Sequence, residues 1–157
     1  MTENLRIIHK KLGYLARMQT DLQHSIGKMA SPLRKIQLGD IAGMTPDERE
    51  TVSAFTTRFA TYQEQIGKTM RSIAIEEESA TTPFGAILAL MEKLGILDSG
   101  EKWKELRELR NLVSHEYEDD PDELFQVLNK LVENAPYLTA IHERIQDFVT
   151  QAYPAAS

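Results

Sequence analysis

The chain has 157 residues, of which 41% are apolar, and this suits one folded domain and excludes a disordered chain. It contains no cysteine, which excludes disulfides, thiol catalysis and cysteine-based zinc sites. The formal net charge of −6 argues against a broad basic face for nucleic acid but leaves room for a small basic site.

The first half of the chain predicts two long helices. Residues 3–29 form the first, because apolar side chains recur there every three or four positions. Residues 30–45 contain Ser-Pro and two glycines, so we predict a loop, with room for a short helical turn. Thr45 then caps a helix in which Glu48 closes a capping box, and this helix is expected to end near Glu76.

The second half predicts three further helices. One starts at Thr82-Pro83 and ends where Gly95 caps it, and the next runs from near Ser99 towards Glu118. The last is capped by Asp120 and is expected to kink or split near Pro136, because proline breaks the helical hydrogen bonding. Residues 153–157 are predicted to form a frayed tail.

These segments predict the fold class. No segment alternates polar and apolar residues as a strand does, so we expect an all-α protein. The architecture is predicted to be an up-and-down bundle of four to five helices, forming a single domain over residues 1–157. The first residues lack the apolar core of a signal peptide, and the longest apolar run, Ala86 to Met91, is too short for a bilayer, so we expect a cytoplasmic protein.

The chemically informative segment runs from Trp103, the only tryptophan, to Tyr117. On a helical wheel its apolar residues share one arc, and Arg110 falls inside that arc. One hypothesis is that the Arg110 stem packs while its guanidinium escapes to water. The other is that Arg110 lines a polar cleft together with three residues of the neighbouring arc, namely Asn111, Ser114 and His115.

A local basic strip precedes an acidic run in the same region. It consists of Lys102, Lys104, Arg107 and Arg110. The acidic run spans residues 116–123, and its last part, residues 119–123, is interpreted mainly as a helix cap rather than as a metal site. The sequence has no Gly-rich phosphate loop, H-E-x-x-H or G-x-S-x-G motif, so we predict neither a metal nor a cofactor.

The spacing of the polar residues bears on assembly. Asn111 and His115 are four residues apart and share a helix face. Arg110 and His115 are five apart, which separates them by roughly 140° around the helix and about 7.5 Å along it. If these two act together, the helix end must distort or a second copy of the chain must complete the site. We therefore expect a homodimer with the two helices near its axis.

Arg110-Asn111-x-x-x-His115-x-Tyr117 resembles the R-N-x-x-x-H-x-Y signature of HEPN domains. The most similar branch comprises the bacterial nucleotidyltransferase substrate-binding proteins and the related HepT toxins. Trp103 and the acidic residues after Tyr117 also fit that branch, and the specific match covers about twenty residues.

The resemblance implies a two-gene module of toxin–antitoxin type with a separately encoded minimal nucleotidyltransferase. It implies metal-independent RNA cleavage, in which Arg110 stabilises phosphate charge, His115 transfers protons and Asn111 orients the phosphate or the histidine. Arg107 and Ser114 would contact the substrate. The alternatives are a non-catalytic subunit that binds nucleotide or substrate for the transferase, and a plain helical interaction protein.

The resemblance also assigns a regulatory role to Tyr117. In the HepT branch the equivalent tyrosine receives adenylate from the partner transferase, which silences the toxin. Adenylation of Tyr117 would place bulk and phosphate charge beside Arg110 and His115, where they would compete with RNA.

Overall fold

The computed structural model describes residues 1–113 and 120–154, and these residues form helices and connecting turns without a strand. The helices are α1 (Glu3–Ile26), α2 (Ala30–Gln37), α3 (Pro46–Glu76), α4 (Phe84–Lys93), α5 (Gly100–Val113) and α6 (Pro121–Ala152). The predicted all-α class is confirmed for this part of the chain. The continuation of α5 towards Glu118 lies outside the described residues.

Helix α2 forms inside the segment predicted to be a loop, so the described residues contain six helices rather than four to five. Pro32 lies in the first turn of α2, where its missing N–H costs no intrahelical hydrogen bond. Pro32 and Ile36 are buried, so this short helix is stabilised by packing. Gly39, at φ +74°, ends it in the left-handed conformation that glycine adopts readily.

The helix starts follow the predicted caps. The Thr45 hydroxyl accepts a hydrogen bond from the Glu48 N–H at 3.1 Å, and Glu48 accepts one from the Thr45 N–H at 2.9 Å. The Asp120 carboxylate accepts hydrogen bonds from the N–H groups of Asp122 and Glu123, at 3.1 and 3.2 Å. Both the capping box and the capping role of Asp120 are therefore confirmed.

Helix α6 is continuous across Pro136. The last helix is thus not split in two, and the kink at this proline stays a prediction. At its end, Tyr153 packs edge-on against Phe148 and donates a hydrogen bond to the Glu77 carboxylate at 2.7 Å. Residues 155–157, the end of the predicted frayed tail, lie outside the described residues.

The four long helices alternate in direction. The start of α1 contacts the end of α3 through Asn4 and the Ser72 carbonyl, so these two helices are antiparallel. Helix α5 runs antiparallel to α3, because Gln63 contacts Trp103 while Arg110 reaches back to Ala60. It also runs antiparallel to α6, whose Tyr137 contacts Ser99, just before α5, and whose Lys130 contacts Glu105 further along α5.

The core lies between the apolar seams of these helices. On α3 it consists of fully buried side chains at the predicted three–four spacing: Val52, Phe55, Phe59, Tyr62, Ile66, Met70 and Ile73. The Tyr62 hydroxyl lies 2.8 Å from His142 Nδ1 on α6, so two buried polar groups satisfy each other inside this core. Across the described residues, every helix is too short or too polar to cross a bilayer.

Candidate functional site

An open cleft of about 260 Å³ lies between α3, α4 and α5. Four cationic side chains line it: Lys68, Arg71, Arg107 and Arg110. Its other lining residues are Gln63, Glu64, Gly67, Phe84 and Trp103. A chain with a formal net charge of −6 therefore brings four cations and one carboxylate together in one depression.

Helical periodicity explains why these residues meet. On α3, Glu64, Lys68 and Arg71 follow each other at steps of four and three, which places them on one stripe beside the core seam. On α5, Trp103, Arg107 and Arg110 repeat the same steps. Since α3 and α5 are antiparallel neighbours, the two stripes face each other across the cleft.

Arg110 is held against α3. Its side chain is only 11% exposed, and its Nη1 donates a hydrogen bond to the Ala60 carbonyl at 2.7 Å. Its Nη2 lies 3.6 Å from the Glu64 carboxylate. Burial lowers the pKa of Arg110, the Glu64 charge opposes that lowering, and nearby Arg107 adds to it. The guanidinium therefore meets a carboxylate and a carbonyl instead of escaping to water.

The other three cations are more open. Lys68, Arg71 and Arg107 are exposed, and none of them forms an ion pair with the residues that the structure describes. They come from both helices and line the same volume. Their mutual repulsion is relieved by an anion that enters the cleft, which makes this arrangement suited to phosphate or carboxylate ligands.

An apolar notch lies between the cations. Gly67 is buried, and a β-carbon there would lie 3.5 Å from Phe84 Cζ and 3.5 Å from Trp103 Cζ2. Gln63, 1% exposed, donates from Nε2 to the Trp103 carbonyl at 3.0 Å. Within residues 1–113 and 120–154, its Oε1 is buried and has no hydrogen-bond partner. The notch is thus walled by Phe84, which is partly buried, and by Trp103, which is 3% exposed, and it contains one buried acceptor.

The structure brings together some predicted site residues and separates others. Arg107 and Arg110 line the cleft, whereas Asn111 is exposed and is not among the lining residues. In the predicted basic strip, Lys102 lies 4.8 Å from the centre of the Tyr137 ring and Lys104 lies 3.7 Å from Glu101, so neither lines the cleft. Ser114, His115 and Tyr117 lie outside the described residues.

Sequence reasoning missed the contribution of α3 and α4. Lys68 and Arg71 resemble the solvated flank of an amphipathic helix, and only the packing of α5 turns them into one wall of a cleft. In the sequence, Gly67 indicates that α3 contributes to a site or a close contact, because a glycine in the middle of a long helix often marks close packing or a functional site.

Neither a metal cluster among the described residues nor a relative of the chain identifies what this cleft binds. Among residues 1–113 and 120–154, no cluster of three or more histidine or carboxylate side chains is arranged to hold a metal ion. Comparison of the chain with protein-family models, curated proteins and solved structures finds no match.

Proposed function

We propose that this chain is a HEPN-like subunit that binds a phosphate-bearing ligand in the cleft between α3 and α5. It would serve as the substrate-binding partner of a separately encoded minimal nucleotidyltransferase. The observation that carries the proposal is the meeting of four cations from two helices in an acidic protein. Phosphate is the anion of nucleotides and RNA, and arginine suits it because the guanidinium forms paired hydrogen bonds.

The contacts of Arg110 favour binding over catalysis. Two of its nitrogens already face Ala60 and Glu64 on α3, so Arg110 holds α5 in place beside the cleft. Arg107, Lys68 and Arg71 have no such engagement among the described residues. A binding role needs only these exposed cations.

Binding is tested by titrating the protein with inorganic tripolyphosphate in a calorimeter at low and high salt. We expect saturable binding that weakens with salt, because exposed charges are screened. Arg107→Ala should weaken it about tenfold or more, as expected for loss of a charge-assisted hydrogen bond. Arg34→Ala, an exposed arginine on α2, is the control for net charge. Equal affinities for the two variants would contradict the proposal.

The second candidate function is metal-independent RNA cleavage. It is favoured by the position of Arg107 and Arg110 in one cleft on the helix that carries Asn111 and precedes His115. In this mechanism Arg110 stabilises phosphate charge, His115 transfers the proton of the attacking 2′-hydroxyl, and Asn111 and Ser114 help to orient the substrate. RNA cleavage that is lost in His115→Ala would establish it, and cleavage at full rate would remove His115 from the mechanism.

The assembly proposed with either function is a cytoplasmic homodimer that associates with the transferase. Light scattering at micromolar concentration tests the dimer, and a monomer would count against it. Co-purification with the product of a neighbouring short nucleotidyltransferase gene tests the partner. Tyr117 is the proposed adenylation site, and the intact mass of the co-expressed protein should show one adenylate that Tyr117→Phe lacks.

A further inference from the structure

We infer that the cleft takes a nucleoside that carries phosphate on both sides of its ring, with the base in the notch at Gly67. The inference rests on the proposed phosphate-binding function and adds the part of the ligand that is not phosphate. It follows from the order of groups along the cleft, in which an aromatic notch lies between two separate cationic ends.

The order of groups follows from the contacts between α3 and α5. Gln63 contacts the Trp103 carbonyl and Arg110 reaches Ala60, so Arg107 lies level with the stretch of α3 before Gly67. Arg71 lies four residues, about 6 Å, beyond Gly67 in the opposite direction. One exposed arginine therefore lies on each side of the notch, and Lys68 adds to the Arg71 side.

The notch suits a flat ring. A β-carbon at Gly67 would be in ordinary van der Waals contact with both Phe84 and Trp103, at 3.5 Å from each, so the missing side chain leaves a methyl-sized gap between two aromatic edges, and the edge of a flat ring in the cleft approaches the backbone there. The cleft volume of about 260 Å³ is slightly below the usual range for small-molecule sites, about 300–1,000 Å³, so it accommodates one ring system.

Gln63 indicates that the ring carries a hydrogen-bond donor. Its amide orientation is fixed, because the Trp103 carbonyl can only accept and Nε2 must donate to it. Oε1 is then a buried acceptor without a partner among the described residues, and such an atom gains from a ligand donor. Each of the four RNA bases carries a ring or exocyclic N–H, so any of them supplies that donor.

The alternative ligand classes fit less well. Inorganic polyphosphate would satisfy the cations but leave the aromatic notch and Gln63 unused. A nucleoside 5′-phosphate would occupy the notch but neutralise only one of the two cationic ends. A nucleoside 3′,5′-bisphosphate, or the same unit within a single strand, meets all three features.

The test titrates the protein with the four nucleoside 3′,5′-bisphosphates, their 5′-monophosphates and inorganic tripolyphosphate. Trp103 is the only tryptophan and lines the cleft, so its fluorescence reports occupancy of the notch. We expect at least one bisphosphate to bind tenfold or more tightly than both tripolyphosphate and its own monophosphate. The affinity for this bisphosphate should fall in both Arg71→Ala and Arg107→Ala. The affinity for the corresponding monophosphate should fall strongly in only one of these two variants.

Gly67→Ala is the sharpest variant. It should weaken the bisphosphate at least tenfold and leave tripolyphosphate unchanged, because the methyl group fills only the notch. The melting temperature should be maintained or raised, since alanine favours a helix over glycine, so lost binding cannot be ascribed to unfolding. A trinucleotide that binds as tightly as the bisphosphate would identify single-stranded nucleic acid as the ligand. A trinucleotide that binds more weakly would identify the free bisphosphate as the ligand.

Two failures are distinguishable. If tripolyphosphate binds as tightly as every bisphosphate and Gly67→Ala changes neither, the inference about the ring is wrong while phosphate binding stands. If none of these ligands binds, the proposed function itself is wrong.

Discussion

Two hollows on the protein surface differ in what their charges do. The cleft between α3, α4 and α5 has a volume of about 260 Å³ and carries four cations and one carboxylate. A larger hollow, of about 450 Å³, lies where the end of α1 meets the start of α3. Its charged side chains have both signs: Lys28, Asp47, Glu48, Glu50 and Arg58.

The larger hollow uses its charges to hold helices together. Arg58 donates a hydrogen bond from Nη1 to the Ser25 hydroxyl at 2.7 Å. Glu48 accepts hydrogen bonds from Lys35 and Ser31 on α2, at 2.5 and 2.6 Å. The smaller cleft instead has three exposed cations that no described carboxylate neutralises. The comparison teaches that unneutralised charge of one sign, rather than volume, distinguishes a candidate binding site.

The largest expected effect follows from removing one cation from each wall of the cleft. The double variant Lys68→Ala/Arg107→Ala should weaken tripolyphosphate binding about a hundredfold or more, because two charge-assisted hydrogen bonds are lost. The matched control is Lys28→Ala/Arg34→Ala, which changes the net charge equally but alters the larger hollow and α2. Calorimetric titration measures both. A control that loses as much affinity would assign the binding to net charge rather than to the cleft.

An intermediate effect is expected from the two anchored arginines, one in each hollow. Arg110→Ala and Arg58→Ala should each lower the free energy of unfolding by about 1–3 kcal/mol, since each removes a charged hydrogen bond between helices. Arg107→Ala should stay within about 0.5 kcal/mol of the unaltered protein because its side chain is exposed. Urea denaturation distinguishes these outcomes. Equal stabilities of Arg110→Ala and Arg107→Ala would show that Arg110 is not an anchor.

The smallest effect concerns the pH dependence of Glu48. Hydrogen bonds from Lys35, Ser31 and the Thr45 N–H lower the pKa of Glu48 from 4.5 to about 2. A carboxylate whose pKa is lowered by folding stabilises the protein above its unfolded-state pKa, and this contribution is lost as the pH falls towards 2.

Glu48→Gln should therefore be less stable than the unaltered protein at pH 7, and the difference should shrink as the pH falls below about 4.5. Urea midpoints measured from pH 7 to pH 3 provide the comparison. Glu50→Gln is the control, because Glu50 lines the same hollow but takes no part in the Lys35–Ser31–Thr45 contacts. A stability difference for Glu48→Gln that is independent of pH would contradict this account.

Local patterns predicted most of the fold. The three–four apolar spacing predicted the buried seams of α1, α3 and α6, and the cap residues predicted where α3 and α6 begin. Helix α2 was predicted only as a loop with room for a short helical turn, because Ser-Pro and nearby glycines indicate a loop, whereas burial of Pro32 and Ile36 stabilises a helix of eight residues there. Burial against another helix is a tertiary effect that local spacing does not contain.

The site was predicted only in part for the same reason. The helical wheel placed Arg110 inside an apolar arc and therefore predicted that it needs a partner. That the partner is Ala60 and Glu64 depends on the register between α3 and α5, which no local pattern gives. Lys68 and Arg71 lie forty residues or so before the motif in sequence and meet Arg107 only through that register.

The most direct test of the central claim is an amide chemical-shift map of the protein titrated with tripolyphosphate. Binding in the cleft predicts that the largest shifts occur at Lys68, Arg71 and Arg107. The amides around Lys28, Asp47 and Glu50, in the larger hollow, should stay unchanged. Shifts concentrated at that hollow, or spread evenly over exposed lysines and arginines, would contradict the assignment of the cleft as the phosphate site.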